Sequence, residues 1–462
     1  MEINVPKYYE IPHQWIKADY TRRIRIFVDR VEIEVVGLTI RRPIHIRKEM
    51  RILAEINKAK LLLNDGREIT RRVRYVAGED KYRISVPKNI KKIILKTKPW
   101  VKQLFTKEFQ ITLKVYQNEF ATKEAIREFE RIYGERNLLA KIAVIIYGRK
   151  SIPRILKNTN YIAFELAYLA SLITGEKLRY IGDNRGRGIY DPKIPPKIFC
   201  PEMAFLLGAW SSDGSIFKGR EGRPVKFYVV SGDKGFLEII QEFIEKLFGK
   251  TKPVIRHRKA LGRNRIEQIY KSPIARALVL AGATMGHRTK VNPSFPEWIK
   301  GTIGYIRNWF RGEFIGDGVV TISDRCLAAR FDRGIEIRNE RLKNELKERI
   351  LSHPDKKWNP GTQSYRLSMG KLSEEEKQKI PKPKLIVDED RILSKLGLKH
   401  SLCGLEIKYY PKTNRVTAHW GILFRGKNAI HFWRFLDLEK EPWIKSEKVK
   451  EAKQKIEMKK LR

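Results

Sequence analysis

Cysteine is scarce in this chain: the 462 residues hold only Cys200, Cys326 and Cys403, far apart and in no Cys-x-x-Cys pair. That excludes a disulfide framework and a cysteine-rich zinc module, and three reduced residues of a cytoplasmic protein are expected. Histidine does not fill the gap, because the eight residues include no His-x-x-x-His pair and no HNH arrangement. Long apolar runs are also missing. The longest, Tyr161 to Ile173, contains Glu165 and is too short to span a bilayer, so it reads as a buried helix and no membrane partner is expected. Ala281-Gly-Ala-Thr-Met-Gly286 lacks the lysine of a phosphate-binding loop and reads as a helix end.

The last shortage is of acid: 53 Asp and Glu face 96 Lys and Arg, a formal net charge of +43. Such an excess sits on surfaces and calls for a polyanion, with nucleic acid ahead of anionic lipid. A heat-adapted surface is also rich in charge, but it tends to balance its signs. At 42% hydrophobic residues, each of two or three domains has enough apolar side chain for a core.

Residues 1–118 read as a basic, β-rich domain, with runs such as Ile24-Arg-Ile-Phe-Val28 separated by turn signals such as Asn64-Asp-Gly66. Within it, Trp100 among the lysines of 91–102 is a candidate for stacking on a base beside a held backbone, the alternative being a solvated strand face. Over 119–160 the period becomes helical. Thr122 is a candidate cap for a helix ending at Gly134, and a second helix covers Leu138 to Ile146. A third, basic helix capped by Ser151 completes a candidate helix-turn-helix that would bring Arg149, Lys150, Arg154 and Lys157 to DNA. The alternative is an ordinary three-helix connector. Residues 161–197 read as a helix followed by a basic Gly-Arg linker.

From Cys200 onward the chain repeats itself. Residues 206–214 read Leu-Leu-Gly-Ala-Trp-Ser-Ser-Asp-Gly, and 310–318 read Phe-Arg-Gly-Glu-Phe-Ile-Gly-Asp-Gly. Gly208 and Ser212, like Gly312 and Gly316, stand four apart on one helix face and would let two backbones approach closely. Gly214 and Gly318 suit the left-handed position past a helix end. If the two helices pack, Asp213 and Asp317 meet at their C-terminal ends, where like charge and the helix dipoles call for a cation. Hard oxygen ligands beside a basic surface favour Mg²⁺ and phosphodiester chemistry.

These motifs resemble the LAGLIDADG, or DOD-type, homing endonucleases in their single-chain, two-repeat form, and an archaeal, heat-adapted source is expected. The likeness runs over roughly 198–445. It includes Ser231-Gly-Asp-Lys234, Lys271-Ser-Pro-Ile-Ala275, Pro296-Glu-Trp-Ile299 and Gly426-Lys-Asn-Ala-Ile430. The resemblance implies an α+β fold of two pseudo-symmetric αββαββα repeats, over 198–294 and 295–445, whose sheets lie along the DNA major groove. It implies Mg²⁺ at Asp213 and Asp317, and a basic residue near each scissile phosphate. Lys271 and Lys427 match that role, with Lys371 a competitor for the second. The motif's sixth position, acidic in the family name, is Ser211 in one copy and Ile315 in the other. The second half carries about 40 extra residues between Leu351 and Asp390, and 446–462 reads as a charged tail.

A monomer acting on a long, asymmetric double-stranded DNA site is therefore expected, cytoplasmic and nucleoid-associated. Met1 and Arg462 offer no splicing chemistry, so a freestanding enzyme is expected rather than an intein. An intron maturase that binds intron RNA, or a non-catalytic DNA-binding regulator, would use the same scaffold. Tyr180-Ile-Gly182 and Gly188-Ile-Tyr190 imitate a GIY-YIG nuclease in reversed order. Pro354-Asp355 with Glu375-Glu-Lys377 imitates a PD-ExK pattern but reads as a charged helix surface.

Overall fold

The structure, a computed structural model, describes residues 3–11, 21–36, 43–134, 136–147, 161–183, 188–219, 222–260, 263–322 and 326–460. The chain divides into two compact units, 2–196 and 197–462, both mixing helix and sheet.

In the first unit an antiparallel sheet runs in the order Tyr9–Ile11, Thr21–Ile26, Arg30–Val35, Ile90–Thr97, Ala54–Leu63, Glu68–Arg72. Period-two burial puts Ala59, Leu61 and Leu63 inside. Trp100 is not available to stack on a base: it is buried, and its indole N–H donates to the Ile52 carbonyl at 2.8 Å. Thr122 lies in the strand Phe120–Thr122, so the next helix, Glu124–Tyr133, starts after Lys123 and ends at Gly134 with φ 86°. The following helix is Arg136–Tyr147. Arg149, Lys150, Arg154, Lys157 and the third helix lie outside the described residues.

The apolar run at 161 is a strand, Tyr161–Ala163, leading into the buried helix Phe164–Thr174. Among the described residues no helix is long and apolar enough to cross a membrane. Two segments expected to lie in or beside a linker, Tyr180–Gly182 and Gly188–Tyr190, are instead paired strands. Gly188 lies directly opposite Gly182, and a β-carbon at Gly188 would stand 2.2 Å from the Ile181 carbonyl oxygen. Only glycine permits that approach.

In the second unit the chain runs α1 Pro201–Ser212, β1 Gly214–Lys218, β2 Pro224–Ser231, α2 Lys234–Phe248, β3 Val254–Ala260, β4 Arg263–Tyr270 and α3 Ser272–Ala281. It continues with α4 Ile303–Asp317, β5 Val319–Ile322, β6 Leu327–Glu336, α5 Glu340–Ser352, β7 Lys357–Asn359, β8 Ser364–Ser368, α6 Lys384–Lys395, β9 Ser401–Tyr410, β10 Arg415–Arg425, α7 Lys427–Leu436 and α8 Glu447–Lys460. The two sheets are ordered β1-β2-β4-β3 and β5-β6-β10-β9-β8-β7. In both, the strand after the motif helix pairs with the next, and that one with the last strand before a helix. The extra length of the second half is thus folded as β7, β8 and α6, with a short helix Glu374–Lys379 between.

Helices cover one face of each sheet. In the first, Phe227 and Val229 of β2 and Tyr270 of β4 turn inward; in the second, Phe331 of β6 and Phe424 of β10 meet Phe432 of α7, whose ring stacks on Phe424 at 4.0 Å. α2 is capped by Asp233, whose carboxylate accepts from Phe236 N at 3.0 Å. The expected charged tail is a docked helix: Val449, Ala452 and Ile456 of α8 are buried. Asp233 fastens its start by accepting from Ser446 Oγ at 2.6 Å and Lys448 N at 3.1 Å.

Candidate functional site

Helix α1 is apolar almost all round and has Pro201 in its first turn, the pattern of a central buried helix. It packs on α4 with almost no space between the backbones. A β-carbon at Gly208 would stand 2.0 Å from the Trp309 carbonyl oxygen, and one at Gly312 would stand 2.2 Å from that of Phe205. Ser212 and Gly316 are the next contact, where a β-carbon on Gly316 would meet Ser212 Oγ at 1.9 Å. Ser212 Oγ is held by its own helix, donating to Ala209 O at 3.0 Å, and reaches Gly312 O across the interface at 3.4 Å. The four small residues therefore set the depth of the helix contact.

Gly214 and Gly318 serve closeness rather than handedness. Neither has a positive φ, and Gly318 is extended at φ −63° and ψ 147°. A β-carbon on Gly214 would stand 2.6 Å from Trp210 Cα, and one on Gly318 would stand 2.4 Å from the Phe314 carbonyl oxygen. The chain turns from helix to strand too tightly for any side chain.

This packing brings the charges of Asp213 and Asp317 within range of each other at the two helix ends. Burial, and then the charge of Asp317, push the Asp213 carboxyl up to about 6; Lys448, a hydrogen bond from Ser231 and Arg265 pull the other way. Cations close over the same ends. Arg288 donates to Trp210 O at 2.8 Å and to Ser212 O, and Lys448 donates to Gly316 O. Each aspartate is thus preceded by a carbonyl held by a basic side chain from outside the motif, where the helix dipole favours positive charge. Burial lowers Arg288 to about 10, which leaves it charged at neutral pH.

Arg333 of β6 stands behind Asp317 at 3.4 Å and donates to Ser211 Oγ at 3.0 Å. It also pairs with Glu313 and, at 3.7 Å, with Glu389 of α6. Both glutamates are fully buried, and burial drives their pKa values up; the Trp309 indole N–H donates to both at 3.1 Å. Beside Asp317 lies a cavity of about 330 Å³, bounded by Arg288, Asp332, Arg333, Lys408 and His419. Burial, then Lys408, lowers His419 to about 4 and keeps it neutral.

The donor set fits a hard divalent cation. Among the described residues no group of three or more His, Cys, Asp and Glu side chains could hold a metal. Such an ion would take Asp213 and Asp317 and leave its other positions to water and phosphate, as Mg²⁺ prefers. Lys271 lies between β4 and α3, and Lys427 opens α7 after β10. Lys371 sits instead in a short turn after β8, paired with Asp355 at 2.9 Å.

Sequence reasoning passed over Arg333, Arg288, Lys448 and Glu389. Arg333 did leave a signal, a charge at an inward position of a strand between Phe331 and Ile335. Lys448 left none, because its helix also carries Lys450, Lys453 and Lys455.

Residues 201–279 match the family model of a LAGLIDADG-like domain. No curated protein matches the sequence significantly. The structure is similar to mesophilic variants of the homing endonuclease I-DmoI, at 12% identity over 52% of this chain and 97% of theirs, with a TM-score of 0.27. An I-DmoI variant in complex with its target DNA and manganese gives 12% identity over 54% of this chain and 100% of that one, with a TM-score of 0.29. I-DmoI with DNA and calcium gives 10% over 53% and 93%, with a TM-score of 0.28. The segment similar to a LAGLIDADG-like domain is thus the one that carries Asp213 and Lys271.

Proposed function

We propose that the protein is a site-specific double-strand DNA endonuclease of the LAGLIDADG homing type, a monomer that hydrolyses phosphodiesters with Mg²⁺ held by Asp213 and Asp317. The observation that carries this is the helix contact itself: two glycine-matched helices end side by side in two acids, in a chain with formal charge +43. Residues 197–462 are then two pseudo-symmetric repeats, and the sheet faces turned away from the helices lie on DNA. Distributed Lys and Arg contacts supply affinity.

When bound, the divalent ion would neutralise the scissile phosphate and acidify water. The protein's part is to hold the two carboxylates. Ser231 orients Asp213 and Arg333 anchors Asp317, while Arg288 and Lys448 offset the negative helix ends. Lys271 and Lys427, one in each half, are the proposed phosphate contacts beside the cut.

The test is cleavage of a random-sequence duplex library with Mg²⁺, against a chelator control and the variants Asp213→Asn and Asp317→Asn. Parent protein should leave double-strand breaks, and each variant should leave none while binding DNA within about tenfold of the parent. Full cutting by either variant would remove the acid pair from the mechanism. Tight binding of one structured RNA without any DNA cleavage would favour the maturase instead.

A further inference from the structure

Beyond the acid pair, we propose that the additional segment of the second half, 353–400, is a phosphate clamp that extends the DNA-binding face past the sheet's own strands. This rests on reading the chain as a DNA enzyme.

The register of the sheet is the first observation. Lys357 of β7 lies directly opposite Arg366 of β8, which lies opposite Lys408 of β9. The neighbouring Leu367 and Ile407 turn toward the helices and are buried, so the three cations share the other face. Like charges set side by side across strands repel; among the described residues Glu406 pairs with two of them, at 2.9 Å from Lys408 and 3.9 Å from Arg366, and Asp355 acts on Lys357 from further off. A protein that needs only a stable sheet gains nothing from this row; a polyanion lying across it resolves the repulsion.

The second observation is a groove of about 1240 Å³ beside that row, with Arg330, Lys356, Lys357, Arg366, Lys371 and Arg425 among its walls. Three acids, Asp332, Asp355 and Glu406, share it, so cations outnumber them. Arg330, Lys357 and Arg425 form no ion pair among the described residues. The groove begins on β6 at Arg330 and Asp332, of which Asp332 also borders the cavity beside Asp317, and ends on the added hairpin. A backbone held at the acids would therefore continue along it, which singles out duplex DNA over an acidic protein.

Rigidity is the third. The added segment is tied to the rest of its unit: Asp388 accepts from Phe295 N at 3.0 Å, Asn292 accepts from Lys384 N at 2.8 Å, and Glu389 is part of the Arg333 network. Phosphate-binding side chains are thus presented on a fixed support. Two added strands widen the face by about 10 Å, roughly three nucleotides of backbone.

The experiment uses the full chain with Lys356→Gln, Lys357→Gln and Lys371→Gln combined, all exposed positions, against a mixed-sequence DNA duplex of about 30 base pairs over a range of salt. The slope of log affinity against log salt should fall by about two to three, near 0.9 for each lost phosphate contact. The thermal midpoint should hold, and Lys395→Gln with Lys399→Gln, exposed on and after α6, should leave the slope unchanged. A triple variant with the parent's slope would overturn the clamp alone. A parent that shows no salt-dependent duplex binding would overturn the DNA reading and the clamp with it. Equal loss of binding to polyglutamate would reduce the face to a general polyanion surface, which also overturns the proposal.

Discussion

The Asp213 carboxyl shows what the site costs the fold. Its pKa stands at about 6, against 3.8 for the free group, because burial and Asp317 disfavour its charge. A raised acid pKa means the native state binds the proton more tightly than the unfolded chain. The penalty is therefore absent below the unfolded value, grows as pH rises through the interval between the two, and is complete above the folded one. It amounts to about 2 kcal/mol after solvent screening. Asp213→Asn should accordingly raise metal-free stability by that order at about pH 7.5 and lose most of the gain by about pH 4; urea unfolding with a chelator at both values measures it. A variant less stable than the parent at the higher pH would show that Asp213 serves the fold. Arg333 is the opposite case, since it compensates Glu313 and Glu389, both fully buried. Arg333→Met should cost about 3–5 kcal/mol, the usual cost of breaking a buried pair. Adding Glu313→Gln should return part of it, which a double-mutant cycle would read.

At the scale of elements, the α1–α4 contact makes a graded prediction. A methyl group at Gly208 or Gly312 meets backbone, whereas one at Gly316 meets the Ser212 hydroxyl, which can be removed. Gly208→Ala and Gly312→Ala should each destabilise by about 1–3 kcal/mol or more, as overpacking does, and Gly316→Ala should be relieved by adding Ser212→Gly. Equal losses at all three, with no relief from the pair, would mean that the helices do not meet at this face. This contact was legible in sequence because small residues four apart can do little else in an otherwise apolar helix. Gly214 and Gly318 were legible as necessary but for the wrong reason, since a crowded turn and a left-handed turn leave the same letter. α8 was not legible: Val449, Ala452 and Ile456 are too few among its lysines to announce a docked face. The addition in the second half showed only as length, because Lys357–Asn359 is too short to carry an alternation. Trp100 misled because an aromatic among lysines reads alike whether its ring faces solvent or core.

For the whole molecule, the separation of units at Pro196 and Lys197 predicts how the chain behaves when it is cut there. Residues 197–462 contain both acids, both of these sheets and the α1–α4 contact, so this part should fold alone and carry the proposed Mg²⁺-dependent cutting. It should lose affinity and salt sensitivity with the cations of 2–196. A folded but inert fragment would place part of the active site in the first unit. On the proposed function, the form of the target follows from the inequality of the halves. A symmetric pair of sheets would read a palindrome, but here, among the described residues, one sheet has four strands and the other six. Among the described residues, the Lys357, Arg366 and Lys408 row of the second sheet has no counterpart in the first, which ends at β3. Cleavage selection should therefore recover a site of about 20 base pairs that is only partly palindromic, with cuts near its centre and backbone protection extending further on one flank. End sequencing locates the cuts, and hydroxyl-radical footprinting measures the flanks. A perfect palindrome protected equally on both sides would mean that the added strands never reach DNA, and that the two halves act as a symmetric dimer would.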